Sequence, residues 1–126
     1  MAAGAGVPIR LGTRVAYHQS LEREGSFAEY TRVDASSVLL IPDALDAASA
    51  AALPCPGLTA WQAIEKIPVR ADCDVLIVGG GGAVGLLLVQ LAVARGFRVW
   101  VTAARAHHAQ LTTLGAAGVY DYRTDD

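Results

Sequence analysis

The chain has 126 residues, of which 53% are hydrophobic and 17% charged, and its formal net charge is −2. This composition excludes a disordered polymer and predicts a buried α/β interior. It gives no electrostatic basis for a nucleic-acid or anionic-membrane partner, and the longest apolar stretch, Ala83 to Ala94, is too short to span a bilayer.

The first third reads as strands and turns. Residues Gly12 to Tyr17 predict a short strand entered through a glycine. A polar loop follows from His18 to Ser26. Phe27 to Val33 alternates apolar and polar residues, the period of a half-buried strand. Ser37 to Ile41 predicts another strand, stopped by Pro42. Asp46 is placed to cap a helix over Ala47–Leu53. Pro54 and Pro56 are expected to break it, with a second helix from Gly57 or Leu58 to about Lys66.

From Cys73 onward the order is strand, helix, strand, helix, strand. The predicted strands are Asp74–Val78, Arg98–Thr102 and Gly118–Asp121, and the helices Ala83–Arg95 and Ala106–Leu114. Gly96 and Gly115 stand where helix C-terminal glycines do. Such alternation implies a parallel sheet with right-handed crossovers. Three strands make half of a doubly wound sheet, so an edge strand and an apolar helix face open to water are expected.

The run from Val75 to Gln90 carries the chemistry. An apolar strand feeds a glycine turn that opens into an apolar helix, with G-x-G-x-x-G at Gly80, Gly82 and Gly85. Gly80 permits the tight turn, Gly82 removes a side chain from the path of a pyrophosphate, and Gly85 allows close helix–strand packing. The amides and dipole of the helix start, at Ala83 and Val84, then favour an anion. About 20 residues on, NAD-binding folds place an acid against the ribose hydroxyls. Here the second strand ends Val101-Thr102-Ala103-Ala104-Arg105-Ala106-His107-His108, without an acid. A carboxylate would repel a 2′-phosphate, whereas Arg105 can pair with it. NADP(H) is the expected cofactor, with Thr102, Arg105 and His107 near its adenosine end.

Taken together, several segments resemble the medium-chain dehydrogenase/reductase family in its quinone-oxidoreductase-like branch. They are Gly12-Thr13-Arg14-Val15, Gly25-Ser26-Phe27-Ala28-Glu29-Tyr30, Leu53 to Trp61, the glycine turn, and Leu114-Gly115-Ala116-Ala117 with Asp121-Tyr122. The resemblance implies an α/β chain: a partial GroES-like β region over residues 1–41, then connecting helices and the first half of a Rossmann doubly wound sheet over 42–126. It places Thr59 near the nicotinamide, Gly82, Ala83 and Val84 along the pyrophosphate, and Tyr122 with the residue at His107 near the adenosine phosphate. Histidine in place of a lysine at 107 carries less charge at neutral pH.

Cys55 matches a zinc-ligand position of the zinc-dependent alcohol dehydrogenases in that family. Catalytic zinc needs about three protein ligands, and the partners have no counterpart here, so zinc is disfavoured and Cys55 is expected to be a small buried residue at a helix start. Cys73 reads as structural and His18 as a surface histidine. The two cysteines suggest no disulfide framework and fit a reducing cytoplasm, and the first residues predict no signal peptide.

The expected activity is hydride transfer between a nicotinamide and a quinone or carbonyl-conjugated small molecule, with no catalytic residue assigned. A homodimer is what the resemblance implies for the complete protein. A zinc-dependent alcohol dehydrogenase and a non-catalytic nucleotide-binding or interaction module are the alternatives.

Overall fold

A computed structural model describes residues 9–23, 25, 27–68 and 73–125. The chain divides into two compact units, residues 1–55 and 56–126.

In the first unit, strand β1 (Val15–Tyr17) pairs antiparallel with β2 (Val38–Leu40), in the register Val15 to Leu40 and Tyr17 to Val38. Both strands are shorter than predicted. A turn through Gly12 precedes β1, and a 3-10 turn at Ala35–Ser37 precedes β2. The pairing is extended by the Ile41 amide, which donates to the Arg14 carbonyl at 3.1 Å. Arg14 also donates through Nη2 to the Leu45 carbonyl at 2.7 Å, tying β1 to the approach of helix α1 (Ala47–Ala52).

That helix forms as its cap predicts. The Asp46 carboxylate accepts from the Ser49 amide at 2.9 Å, and Ala50 is buried. Hydrogen bonds from Ser49 hold the Asp46 carboxyl below the usual carboxylate range.

The expected strand at Phe27–Val33 is not there. Its residues are irregular, and both Phe27 and Tyr30 are exposed. Alternation marks a face, but a strand also needs a ladder partner. Among the described residues of this unit only β1 and β2 pair, and they pair with each other. The segment is held instead by side chains: Gln19 donates to the Arg32 carbonyl at 3.0 Å, and Arg23 pairs with Asp34 at 3.0 Å. Glu24 and Ser26, part of the predicted loop, lie outside the described residues.

Helix α1 stops before Pro54, as expected, and helix α2 spans Pro54–Glu65, so the two prolines that end the first helix also open the second, which starts earlier than Gly57. The first amides of a helix have no intrahelical partner, and Pro54 and Pro56 therefore lose no bond in the first turn.

The second unit carries a three-stranded parallel sheet, β3 (Asp74–Val78), β4 (Arg98–Thr102) and β5 (Gly118–Tyr120), in that spatial order. Helix α3 (Ala83–Ala94) joins β3 to β4. A 3-10 turn at Arg105–His107 and helix α4 (His108–Thr113) join β4 to β5. Strands β3 and β4 agree with the sequence prediction residue for residue. Gly96 and Gly115 follow α3 and α4 with φ of 83° and 97°.

One sheet face builds the core. Ile77, Val99 and Val101 pack with Val89 and Ala92 of α3, Leu111 of α4 and Ile64 of α2. The end of α3 is latched to α2 by Arg95, which donates to the Ile64 carbonyl at 3.1 Å, pairs with Glu65 and lies over the Trp61 ring.

The other face carries a polar and aromatic ladder. Arg98 holds Asp74 with two hydrogen bonds, and Trp100 Nε1 donates to Asp74 at 3.2 Å. Trp100 lies over Gly118, its neighbour in the register, and stacks with Tyr120 at 6.0 Å between centroids. A Cβ at 118 would overlap the indole, so the glycine makes room for the tryptophan. Leu76 and Val78 remain exposed on this face.

Candidate functional site

The predicted glycine turn sits at the C-terminal end of β3, where open α/β sheets hold their ligands. Its root is fixed from β4. The Thr102 carbonyl accepts from the Gly79 amide at 3.0 Å and from the Gly80 amide at 2.9 Å, and the Thr102 hydroxyl accepts from Gly79 at 3.2 Å. Thr102, expected at the cofactor, is thus seen anchoring the turn.

The structure redistributes the roles of the glycines. The left-handed residue that makes the tight turn is Gly79, at φ 78°, not Gly80. Gly80 is buried, and a Cβ there would overlap Val101. Gly85 is buried in α3, and its Cβ would stand 2.5 Å from the Gly79 carbonyl oxygen and 2.6 Å from Gly80 Cα. The close approach predicted for Gly85 is therefore helix against turn backbone. Gly81, to which the sequence motif assigns nothing, carries the His107 ring: a Cβ would lie 2.5 Å from Cδ2 and 2.7 Å from Cγ.

Gly82 differs from all of these. Its φ of −80° and ψ of 166° suit any residue, and a Cβ would meet nothing closer than the Gly79 oxygen at 3.5 Å. It is exposed and is the N-cap of α3, with no side-chain cap. The first helical bond is Leu86 N to Gly82 O at 2.9 Å, so the amides of Ala83, Val84 and Gly85 precede it. Ala83 is exposed and Val84 half-buried. A positive φ at Gly79, or a close neighbour at Gly80, Gly81 and Gly85, explains every glycine of the turn except Gly82, the one expected to face a pyrophosphate.

Beside the turn lie the residues after β4. Arg105 is exposed and His107 half-buried against Gly81. The His108 ring is within 3.1 Å of the Ala103 carbonyl through Nε2. Tyr122 is exposed, with the Arg123 guanidinium 5.3 Å from its ring centroid. Arg123 brings a further cation to this end of the sheet, one the sequence reading leaves out.

An acid also reaches this region, from the third strand rather than the second. The Asp125 carboxylate accepts from the Asp121 amide at 2.8 Å and from the Thr124 hydroxyl at 3.1 Å. Its carboxyl is held below the usual range, first by the Asp121 amide and the Thr124 hydroxyl, then by the charges of His108 and Arg105. Asp121 is buried and accepts from the Arg123 amide at 3.1 Å, which closes the loop.

Thr59 is exposed on α2. Cys55 stands at the start of that helix, as predicted, but is exposed rather than buried, because the first turn of α2 turns Pro54 inward instead. Among the described residues no three His, Cys, Asp or Glu side chains come together as a metal site, and no helix is long and apolar enough to cross a membrane.

Comparison with known proteins places this geometry. The chain is 32% identical over 146 aligned residues to a trans-enoyl reductase of Aspergillus flavipes, covering 97% of this chain and 42% of the relative. It is 38% identical over 104 residues to a 2-methylene-furan-3-one reductase of Solanum lycopersicum, covering 81% and 27%. Among solved structures, the quinone oxidoreductase of Thermus thermophilus, determined also in complex with NADPH, superposes with a TM-score of 0.80 at 33% identity, covering 91% of this chain and 38% of that one. The chain belongs to the medium-chain dehydrogenase/reductase family.

No general family model matches the chain. It spans 42% of the first of these reductases and 27% of the second. The antiparallel β1–β2 pair and the parallel β3–β4–β5 sheet match the GroES-like and Rossmann parts of quinone oxidoreductases of this family.

Proposed function

We propose that the chain is the dinucleotide-binding part of an NADPH-dependent oxidoreductase of the quinone or enone reductase type. The observation that carries the reading is Gly82. Every other glycine of the turn is required by a positive φ or by a neighbour inside the protein, whereas a Cβ at Gly82, just before the first amides of α3, would meet only an ordinary contact with the Gly79 oxygen at 3.5 Å. A pyrophosphate approaching that helix start needs this clearance. In this reading residues 1–41 are the later part of a GroES-like domain, and 42–126 the connecting helices and first half of a Rossmann domain.

The bound nicotinamide would supply a hydride to a quinone or to a carbonyl-conjugated double bond. The residues of this chain bind and orient. The amides of Ala83 and Val84 would face the pyrophosphate, with Gly80 and Gly85 holding the turn in shape and Thr102 anchoring its root. Arg105 and His107 would read the 2′-phosphate with Tyr122 beside them, and Thr59 would lie toward the nicotinamide. The reductase names of the relatives and the NADPH complex of the Thermus enzyme support this assignment.

Calorimetric titration of the 126-residue chain with NADPH and NADH tests it. Tighter NADPH binding is the expected result. Equal binding would retain the dinucleotide site and remove the phosphate assignment, and no binding to either would overturn the proposal for this chain.

A further inference from the structure

The contact between Gly81 and His107 joins two parts of the site that the sequence motif treats separately. Gly81 belongs to the turn that would hold the pyrophosphate. His107 ends the turn after β4, where the 2′-phosphate would be read. The imidazole lies so close to Gly81 that Cδ2, Cγ and Nε2 would be 2.5, 2.7 and 3.1 Å from a Cβ at that position. The absent side chain leaves room for the ring, and His107 is half-buried.

We infer that His107, positioned by Gly81, makes the preference for NADPH over NADH depend on pH. This rests on the proposed dinucleotide site. Imidazole is the side chain that gains and loses a proton near neutrality. When the ring takes up a proton from solvent it gains a positive charge and a second N–H donor, and no other bond changes. That charge acts on a 2′-phosphate, which NADPH has and NADH lacks.

The surrounding charges have known places. Arg105 lies on the same 3-10 turn and His108 follows it. Asp125, on the loop after β5, is electrostatically coupled to both, and Arg123 of that loop lies over Tyr122. The glycine turn contributes no ionisable side chain. Arg105 brings a guanidinium, and the Asp125 carboxyl is held below the usual range by the Asp121 amide and the Thr124 hydroxyl. The imidazoles of this cluster are those of His107 and His108. The ring of His108 is already engaged with the Ala103 carbonyl through Nε2.

The test is the ratio of NADH to NADPH dissociation constants, measured by calorimetry on the 126-residue chain between pH 8.5 and 6.5. This range lies above the second ionisation expected of a phosphate monoester, near pH 6. The ratio is expected to rise roughly threefold to tenfold as pH falls, the scale of one charge-assisted hydrogen bond at a half-exposed site. His107→Gln, checked for folding by circular dichroism, should flatten that rise. His107→Lys should hold a high ratio at every pH. Gly81→Ala, checked for folding by circular dichroism, should also flatten the rise by displacing the ring.

A ratio above one that does not change with pH would overturn the inference and leave the proposed function standing. A rise that persists in His107→Gln would overturn it in favour of His108. Failure to bind either nucleotide would overturn both.

Discussion

Replacing Gly82 and Gly85 separately with alanine should split folding from binding. At Gly85 the new Cβ would press on three backbone atoms of the turn, at 2.5, 2.6 and 2.9 Å. Backbone cannot rotate aside as a side chain can, so the upper part of the overpacking range applies, about 3 kcal/mol. Alanine recovers about 1 kcal/mol of helix propensity. The net loss is about 2 kcal/mol, which lowers the melting temperature of a unit this small by roughly 10 °C.

At Gly82 the Cβ meets only ordinary van der Waals contact at 3.5 Å, and the backbone angles suit alanine. A less flexible unfolded chain offsets the slightly poorer N-cap, leaving a change of about 0.5 kcal/mol or less. The same Cβ would stand in the path of the pyrophosphate, and NADPH affinity should fall at least tenfold, about 1.4 kcal/mol. Differential scanning fluorimetry and calorimetric titration of the two variants read the two effects. If Gly82→Ala melts as low as Gly85→Ala, or binds NADPH as the parent does, the division of labour among the glycines is wrong.

Other outcomes follow from the same geometry. Gly80→Ala should destabilise through its overlap with Val101, and adding Val101→Ala should recover part of that loss in thermal melts, since the collision is with one side chain. Thr102→Val should cost only about 0.5 kcal/mol by chemical denaturation, because the Gly79 amide keeps the Thr102 carbonyl at 3.0 Å; a cost several times larger would mean that the hydroxyl carries the anchor. Arg95→Ala removes the Ile64 carbonyl bond and the Trp61 contact and should lower stability by about 1–2 kcal/mol, with Trp61 emission moving to longer wavelength. The Asp74 carboxyl is brought down to about 2, first by its hydrogen bond from Arg98 and then by that from Trp100. A lowered carboxylate stabilises the fold above its unfolded value of 3.8 and loses that contribution as pH falls toward 2. Acid titration followed by circular dichroism should therefore show a decline between pH 4 and 2 that is weaker in Asp74→Asn.

The parts of the fold legible in the sequence are those whose causes are local. β3 and β4 are bounded by residues that turn the chain, and α3 lies between a glycine N-cap and Gly96. Asp46 declares α1 because its partner, Ser49, is only three residues away. What escaped depends on distant neighbours. Phe27–Val33 has the period of a strand but no partner among the described residues of its unit. The start of α2 at Pro54 instead of Gly57 escaped because a proline that ends one helix fits equally well in the first turn of the next. In the glycine turn, spacing identifies the motif but not the roles, because Val101 decides the need for Gly80 and His107 the need for Gly81. Asp125 is legible as an acid, but only the return of β5 beside β4 brings it near Arg105.

The uncovered sheet face has a thermodynamic consequence. Leu76, Val78 and Tyr120 are 60%, 78% and 46% exposed in the folded chain. Water already solvates much of the apolar surface that unfolding would otherwise reveal. The heat-capacity increment of unfolding and the denaturant m-value both scale with newly exposed surface, so both should fall below the usual values for a chain of this length. A shallow stability curve and a broad thermal transition are therefore the expected result of scanning calorimetry on this chain.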